Sequence, residues 1–265
     1  MKIAKAYKEL LQFTNCTLND VFKDLPQWKN LKDTKNDANK GLIGMLLMTR
    51  LGLKNDNRVL DLEDGEIKTN DVYPDGKPKE SIKITQFSSN NIDTIIGPNK
   101  LSFEESHVFA KLNSCLYMLK NQYERGKVGG KYKTVLLPQE KWHFKKPFIL
   151  QKNSKSMALF KLFENDYNHI ISEIEGYLSN DEIDKLIKIP KDEGGRKYRF
   201  KTTNGQYLQM RTAGSKVKTK KNPDGAYSPV YSKIFKKELC NKPIAIYFQA
   251  EFIRHYVNGE LDKFI

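Results

Sequence analysis

Apolar positions along the chain change period several times, and each change predicts an element. Residues 5–30 predict a short helical region, with Thr17-Leu18-Asn19-Asp20 reading as a helix start. Residues 41–51, GLIGMLLMTRL, place apolar side chains at 42, 43, 45, 46, 47, 48 and 51, which predicts a buried helix stopped near Gly52. In VLDLEDGEIKT (59–69), Val59, Leu60 and Leu62 lead to a turn at Gly65, and Glu66-Ile67-Lys68 then alternates as a strand does. YPDGKPK (73–79) is a turn by composition, and SIKITQF (81–87) alternates as a second strand. Residues 104–120 predict a helix, and 130–150 a strand-like TVLLP followed by a Pro-punctuated loop. Tyr167, Ile170, Ile171, Ile174, Tyr177 and Leu178 fit helical spacing. Asn204-Gly205 inside KYRFKTTNGQYLQMR (197–211) signals a hairpin, IAIYF (244–248) a strand, and a last helix starts near Glu251. The mixture predicts an α/β or α+β fold. No internal repeat and no Pro-, Gly- or Ser-rich linker divides the chain, which predicts a single domain over 1–265.

Composition narrows the classes. With 265 residues, 38% of them hydrophobic, the chain can close a core, which argues against global disorder. No run approaches the roughly 18 apolar residues of a membrane-spanning helix. The start, MKIAKAYKELLQF, is broken by Lys2, Lys5, Lys8 and Glu9 and is not a signal-peptide core. Cys16, Cys115 and Cys240 offer neither a disulfide framework nor a CxxC knuckle, so a reduced, cytoplasmic chain is expected. His107, His143, His169 and His255 lack metal-ligand spacing and read as structural or surface residues. Lys plus Arg number 46 against 32 Asp plus Glu, a net +14. A Lys/Asn-rich genome gives such a surplus, and so does a phosphate-backbone partner, which rewards clustered cations by counterion release. Arg211, Lys216, Lys218, Lys220 and Lys221 crowd one Gly/Ser/Thr/Asn-rich stretch that suits a loop along a phosphate backbone.

The most chemistry lies in Asp61-Leu-Glu-Asp-Gly-Glu66-Ile67-Lys68. On a strand, Glu66 and Lys68 face one way and Ile67 faces the core. Asp61, placed before the turn, can fold onto the Glu66–Lys68 face. Two carboxylates can hold Mg²⁺, which activates water for phosphodiester hydrolysis, while a lysine orients that water or screens developing charge. Taken alone, such a D-(x)n-E-x-K string arises more often from a solvated strand edge.

The wider context resembles a family. NKGLIGMLLMTRLG (39–52) before VLDLEDGEIKTNDVYPDGKP (59–78) resembles the MutH mismatch-repair endonucleases and the related GATC-cutting restriction enzymes of the Sau type. Their pattern is a KGxxGxLLE helix, an aspartate, then G-[VE]-E-L-K. GKPKESIKI (76–84) is similar to the strand after the family's catalytic lysine, and SHVFAKL (106–112) to its SHVxxKL helix. NGQYLQMR (204–211) resembles its GEYLQIR hairpin, and IAIYFQAEF (244–252) its FYLKKNF segment.

The resemblance implies a PD-(D/E)XK restriction-endonuclease-like fold, a mixed central sheet flanked by helices. About 1–125 would carry most of the active site, and about 126–265 a C-terminal DNA-reading lobe. Asp61 and Glu66 would be Mg²⁺ ligands and Lys68 the catalytic lysine. Lys40 and Lys111 match lysines beside the DNA or the active site, Lys40 as a DNA contact and Lys111 as a further catalytic residue. Arg211 would read a guanine edge and Tyr247 an adenine, with Lys216 and Lys218 on phosphates. Met48 stands where the family helix ends in a glutamate, and Met48 with Leu46 and Leu47 reads as core. Glu63 and Asp64 are the acids that can replace that glutamate. Asp61 and Glu66 stand two residues closer than in MutH, and Ala213 lies near the family's second loop lysine.

The expected activity is a Mg²⁺-dependent type II restriction endonuclease cutting double-stranded DNA at GATC or a related short palindrome, either as a homodimer on the DNA or by acting twice. The alternatives are a MutH-like nickase that needs a MutL-type activator, and an inactive DNA-binding module. An RNA-binding role lacks any RNP-type aromatic motif.

Overall fold

The computed structural model of the protein describes residues 1–29, 41–53, 61–129, 131–188, 199–200, 203–213, 217–219, 222–226 and 229–262. In chain order the first elements are α1 (Ile3–Leu11), α2 (Leu18–Phe22), α3 (Pro26–Lys29), α4 (Leu42–Arg50), β1 (Glu66–Val72), β2 (Lys83–Phe87), α5 (His107–Leu112), β3 (Cys115–Asn121), β4 (Tyr123–Val128) and β5 (Lys131–Leu136). There follow β6 (His143–Phe144), β7 (Phe148–Leu150), α6 (Met157–Ser179), β8 (Ile187–Lys188), β9 (Arg199–Phe200), β10 (Thr203–Asn204), β11 (Leu208–Thr212), β12 (Val217–Thr219), β13 (Asn222–Ala226), β14 (Val230–Ser232), β15 (Lys237–Cys240), β16 (Ile244–Phe248) and α7 (Ala250–Val257). The fold is mixed α/β. No helix among the described residues is long and apolar enough to cross a membrane.

The chain builds two compact units, and each takes several stretches. Unit 1 comprises 1–80, 113–156 and 250–265; unit 2 comprises 81–112 and 157–249. Each unit therefore draws on residues from both sides of position 125. The sequence offers no linker because the chain passes between units at short turns. Among the described residues the strands divide among two four-stranded sheets and four two-stranded pairs.

In unit 1, β1 and β3 run parallel, from Glu66 opposite Cys115 to Val72 opposite Asn121. On the other side of β3 lie β6 and β7, antiparallel, with Tyr117 opposite Phe148. Every residue of β3 is buried, as a central strand covered on both faces requires. One face packs Leu116 and Met118 with Ile3 and Leu10 of α1, Phe22 of α2, and Leu46 and Leu47 of α4. On the opposite face the Tyr117 and Phe148 rings stack 4.6 Å apart at 12°. Phe252 and Tyr256 of α7 close on Phe148 at 6.3 and 4.1 Å.

Local chemistry accounts for the ends of these elements. Thr17 caps α2: its hydroxyl accepts from Asp20 N at 3.1 Å, and the Asp20 carboxylate accepts from Thr17 N at 3.0 Å. The expected 5–30 helical region is broken into α1, α2 and α3, the last opening on Pro26. The 104–120 helix is corrected too. It stops at Leu112, and Cys115–Asn121 is β3. A run apolar on both faces carries no period to tell strand from helix.

In unit 2, β10, β11, β16 and β2 form an antiparallel sheet in that order. Phe163 of α6 packs on Phe248 of β16. The hairpin foreseen at Asn204-Gly205 is present, but its turn falls later: Gly205 N donates to Leu208 O at 2.8 Å, leaving Gln206 and Tyr207 as the turn.

Candidate functional site

The entry to β1 is built around Gly65. A Cβ there would lie 2.6 Å from Ser114 O and 2.8 Å from Ile3 Cδ1, so only glycine lets the chain come this close. Glu66 N then donates to Ser114 O at 2.8 Å, and Leu62 N to Gly65 O at 2.9 Å. This tight turn brings Asp61 back alongside the strand. Its Oδ2 accepts from Ile67 N at 2.9 Å, an amide directed away from β3. Asp61 thus occupies the open edge of β1 between Glu66 and Lys68.

Glu66 and Lys68 share a face, as the period-two pattern requires. Glu66 Oε2 and Lys68 Nζ are 2.8 Å apart, with side chains 14% and 28% exposed. Burial is the largest single influence on Lys68 and pushes its pKa down. The Glu66 hydrogen bond, with the charges of Cys115, Glu66 and Asp61, outweighs it and holds the ammonium above the ordinary lysine value. Lys68 is therefore a cation throughout the physiological range. Tyr117, beside it in register, has its phenol pushed well above the usual value by burial, then by Cys115 and Glu66.

The acids that could stand in for the family glutamate point elsewhere. Glu63 Oε1 accepts from the Met1 amine at 2.6 Å, and Asp64 Oδ1 from Ile3 N at 2.7 Å, so both hold the start of α1. Met48 is half-buried on the stripe of α4 that carries Gly44, one turn earlier. A Cβ on Gly44 would lie 3.7 Å from Thr69 Oγ1, on the Ile67 face of β1. Strand alternation thus sets Met48 with the core face rather than the Glu66–Lys68 face. Among the described residues no group of three or more His, Cys, Asp or Glu converges as a metal cage. Asp61 and Glu66 nevertheless suit Mg²⁺ in kind, since that ion commonly takes one or two carboxylates and completes its shell with water and phosphate.

The DNA-reading candidates fall in unit 2. Arg211 on β11 and Tyr247 on β16 lie 36 positions apart in the chain, yet the register Gln209–Tyr247 and Arg211–Ala245 makes them diagonal neighbours. The Arg211 guanidinium sits 4.6 Å from the Tyr247 ring centroid, a cation–π contact. Arg211 Nε is buried without a hydrogen-bond partner among the described residues. Burial pushes the Tyr247 phenol up, and Arg211 opposes that shift. Lys111, expected among the catalytic residues, is half-buried on α5 of unit 2, whereas Asp61, Glu66 and Lys68 belong to unit 1. Lys218 lies on β12, which pairs with β13, so this part of the basic run is a strand rather than a loop. Lys40 and Lys216 lie outside the described residues.

Asp166 escaped the sequence reading. Only 6% exposed on α6, it accepts from Gln206 N at 2.6 Å, Tyr207 N at 2.6 Å and Leu208 N at 2.9 Å, and so fixes the hairpin leading to Arg211. Gly205 makes room for it, because a Cβ there would fall 2.3 Å from Asp166 Cγ. The available signal was a carboxylate in the apolar stripe of Phe163 and Ile170. No protein-family model matches the chain, and a search of curated proteins finds no match.

Proposed function

We propose that the protein is a Mg²⁺-dependent, sequence-specific DNA endonuclease of the MutH/Sau type, with unit 1 as a PD-(D/E)XK-like catalytic body and the hairpin of unit 2 as its DNA-reading part. The observation that carries this reading is the Glu66–Lys68 pair on one face of β1 with Asp61 seated on the amide between them. Asp61 and Glu66 are the carboxylates that would hold the ion. Bound there, Mg²⁺ supplies a more acidic water and neutralises a phosphoryl oxygen. Lys68, an ammonium, is no general base. It donates to the attacking oxygen or to the phosphate and stabilises the charge that builds there. Arg211, braced on Tyr247, would offer its guanidinium to the two acceptors of a guanine.

The test incubates supercoiled GATC plasmid, methylated and unmethylated, with Mg²⁺ and sequences the ends. Cleavage leaving 5′-phosphate, dependent on Mg²⁺ and lost in Lys68→Ala, is expected. Cutting of both strands points to a homodimer, and a nick to the partner-activated form. A second reading, an inactive DNA-binding module, is favoured by the engagement of Glu63 and Asp64 with α1, which leaves two acids for the ion. Binding with no cutting in Mg²⁺ or Mn²⁺ would establish it.

A further inference from the structure

Beyond β3 the chain continues into β4 and β5, an antiparallel ribbon that pairs with no third strand among the described residues. Its base is fastened: Leu137 N donates to Gln122 O at 2.8 Å, and the Tyr123 ring lies 4.9 Å from Tyr73. Past the base it is exposed on both faces. Arg125, Lys127, Lys131 and Lys133 are all exposed, and none forms an ion pair among the described residues. The register separates them, with Arg125 and Lys127 on one face and Lys131 and Lys133 on the other. Glu124 is the ribbon's one carboxylate. Tyr132 is 68% exposed, and the Arg125 guanidinium stands 5.6 Å from its ring centroid.

An isolated two-stranded ribbon is marginal in water, and four unneutralised cations make it more so. The arrangement is stabilised when an anionic partner lies against both faces. Duplex DNA offers that, since a groove admits a two-stranded ribbon between two phosphate-lined walls. The ribbon also has a fixed relation to the acid–lysine site, because β3 holds Cys115 and Tyr117 opposite Glu66 and Lys68 at one end and runs into β4 at the other. Six residues of strand from Tyr117 to Tyr123 span about 20 Å, or roughly six base pairs of duplex at about 3.4 Å each.

We propose that β4–β5 is a DNA-clamping arm that holds phosphates of the duplex outside the recognition site, about six or more base pairs from the scissile bond. This rests on the nuclease reading for its partner, and the arm acts on affinity rather than on chemistry.

The experiment compares wild type with Arg125→Gln/Lys127→Gln/Lys131→Gln/Lys133→Gln. Binding is measured in Ca²⁺, without cutting, to GATC duplexes of about 10 and about 30 base pairs over a series of salt concentrations. On the long duplex the variant should bind at least tenfold more weakly, and its salt slope should fall by about 3.6, given roughly 0.9 for each of the four phosphate contacts. On the short duplex the two proteins should agree. Lys131→Gln/Lys133→Gln should show about half the slope change, and thermal melting checks that both variants fold. An unchanged slope on the long duplex, with wild type still binding, overturns the arm and leaves the nuclease reading standing. Failure of wild type to bind either duplex overturns both, as does ribbon-dependent binding to phosphatidylserine vesicles in place of DNA.

Discussion

Replacing Asp166 by alanine removes an acceptor that three consecutive backbone amides share. Gln206 is exposed, so water takes over its amide. The Tyr207 and Leu208 amides are buried, and each unsatisfied group costs about 1–3 kcal/mol. Together the expected loss is about 4 kcal/mol, a large share of the roughly 5–15 kcal/mol that holds a domain folded. Gly205→Ala attacks the same contact from the other side. Its Cβ would sit 2.3 Å from Asp166 Cγ, and overpacking of this kind costs about 1–3 kcal/mol. In the double variant the Asp166 Cγ and Oδ1 contacts are gone and only the β carbon retained at position 166, 2.6 Å from the new Cβ, still crowds it, so the clash is partly relieved and the two losses should fall short of additive by about 1 kcal/mol. Urea denaturation followed by far-UV circular dichroism measures all four proteins. Trp28 and Trp142, the chain's two tryptophans, both lie in unit 1, so their fluorescence does not follow the hairpin. Asp166→Ala within about 1 kcal/mol of wild type, or strict additivity in the cycle, would refute the reasoning.

Other consequences are as direct. Lys68 holds its proton above the ordinary lysine value of 10.5, so its pairing contributes stability that is complete below that pH and is lost as pH rises through the raised value. The stability gap between wild type and Glu66→Gln should therefore narrow in that alkaline window, and a gap independent of pH would contradict the assignment. Arg211→Gln removes the charge that opposes burial at Tyr247, so the Tyr247 phenol should titrate at higher pH than in wild type, read from tyrosinate absorbance against a Tyr247→Phe control. The same variant should bind GATC duplex about 1–3 kcal/mol more weakly while leaving binding to unrelated duplex nearly unchanged.

The parts legible in the sequence were those set by local period and local turns. Glu66 and Lys68 sharing a face followed from strand alternation, Asp61 beside them from a turn at Gly65, and the α2 start from Thr17 and Asp20. Long-range pairing left no such trace. That Arg211 rests on Tyr247 depends on a register between β11 and β16, which neither segment encodes alone. Tertiary burial also overrode the pattern at Cys115–Asn121, where apolar residues on both faces erase the period, and at Asp166, whose partners lie about 40 residues on.

The stack of Tyr117 on Phe148 is closed by Phe252 and Tyr256, which belong to the last stretch of unit 1 to be synthesised. A nascent polypeptide can therefore hold Glu66 and Lys68 while still lacking the aromatic backing beside them. Until residues 250–257 have left the ribosome the first unit is unfinished, so its folding waits on a segment made after the whole of unit 2. A fragment ending at the close of unit 2 would carry Asp61, Glu66 and Lys68 without the wall that completes unit 1.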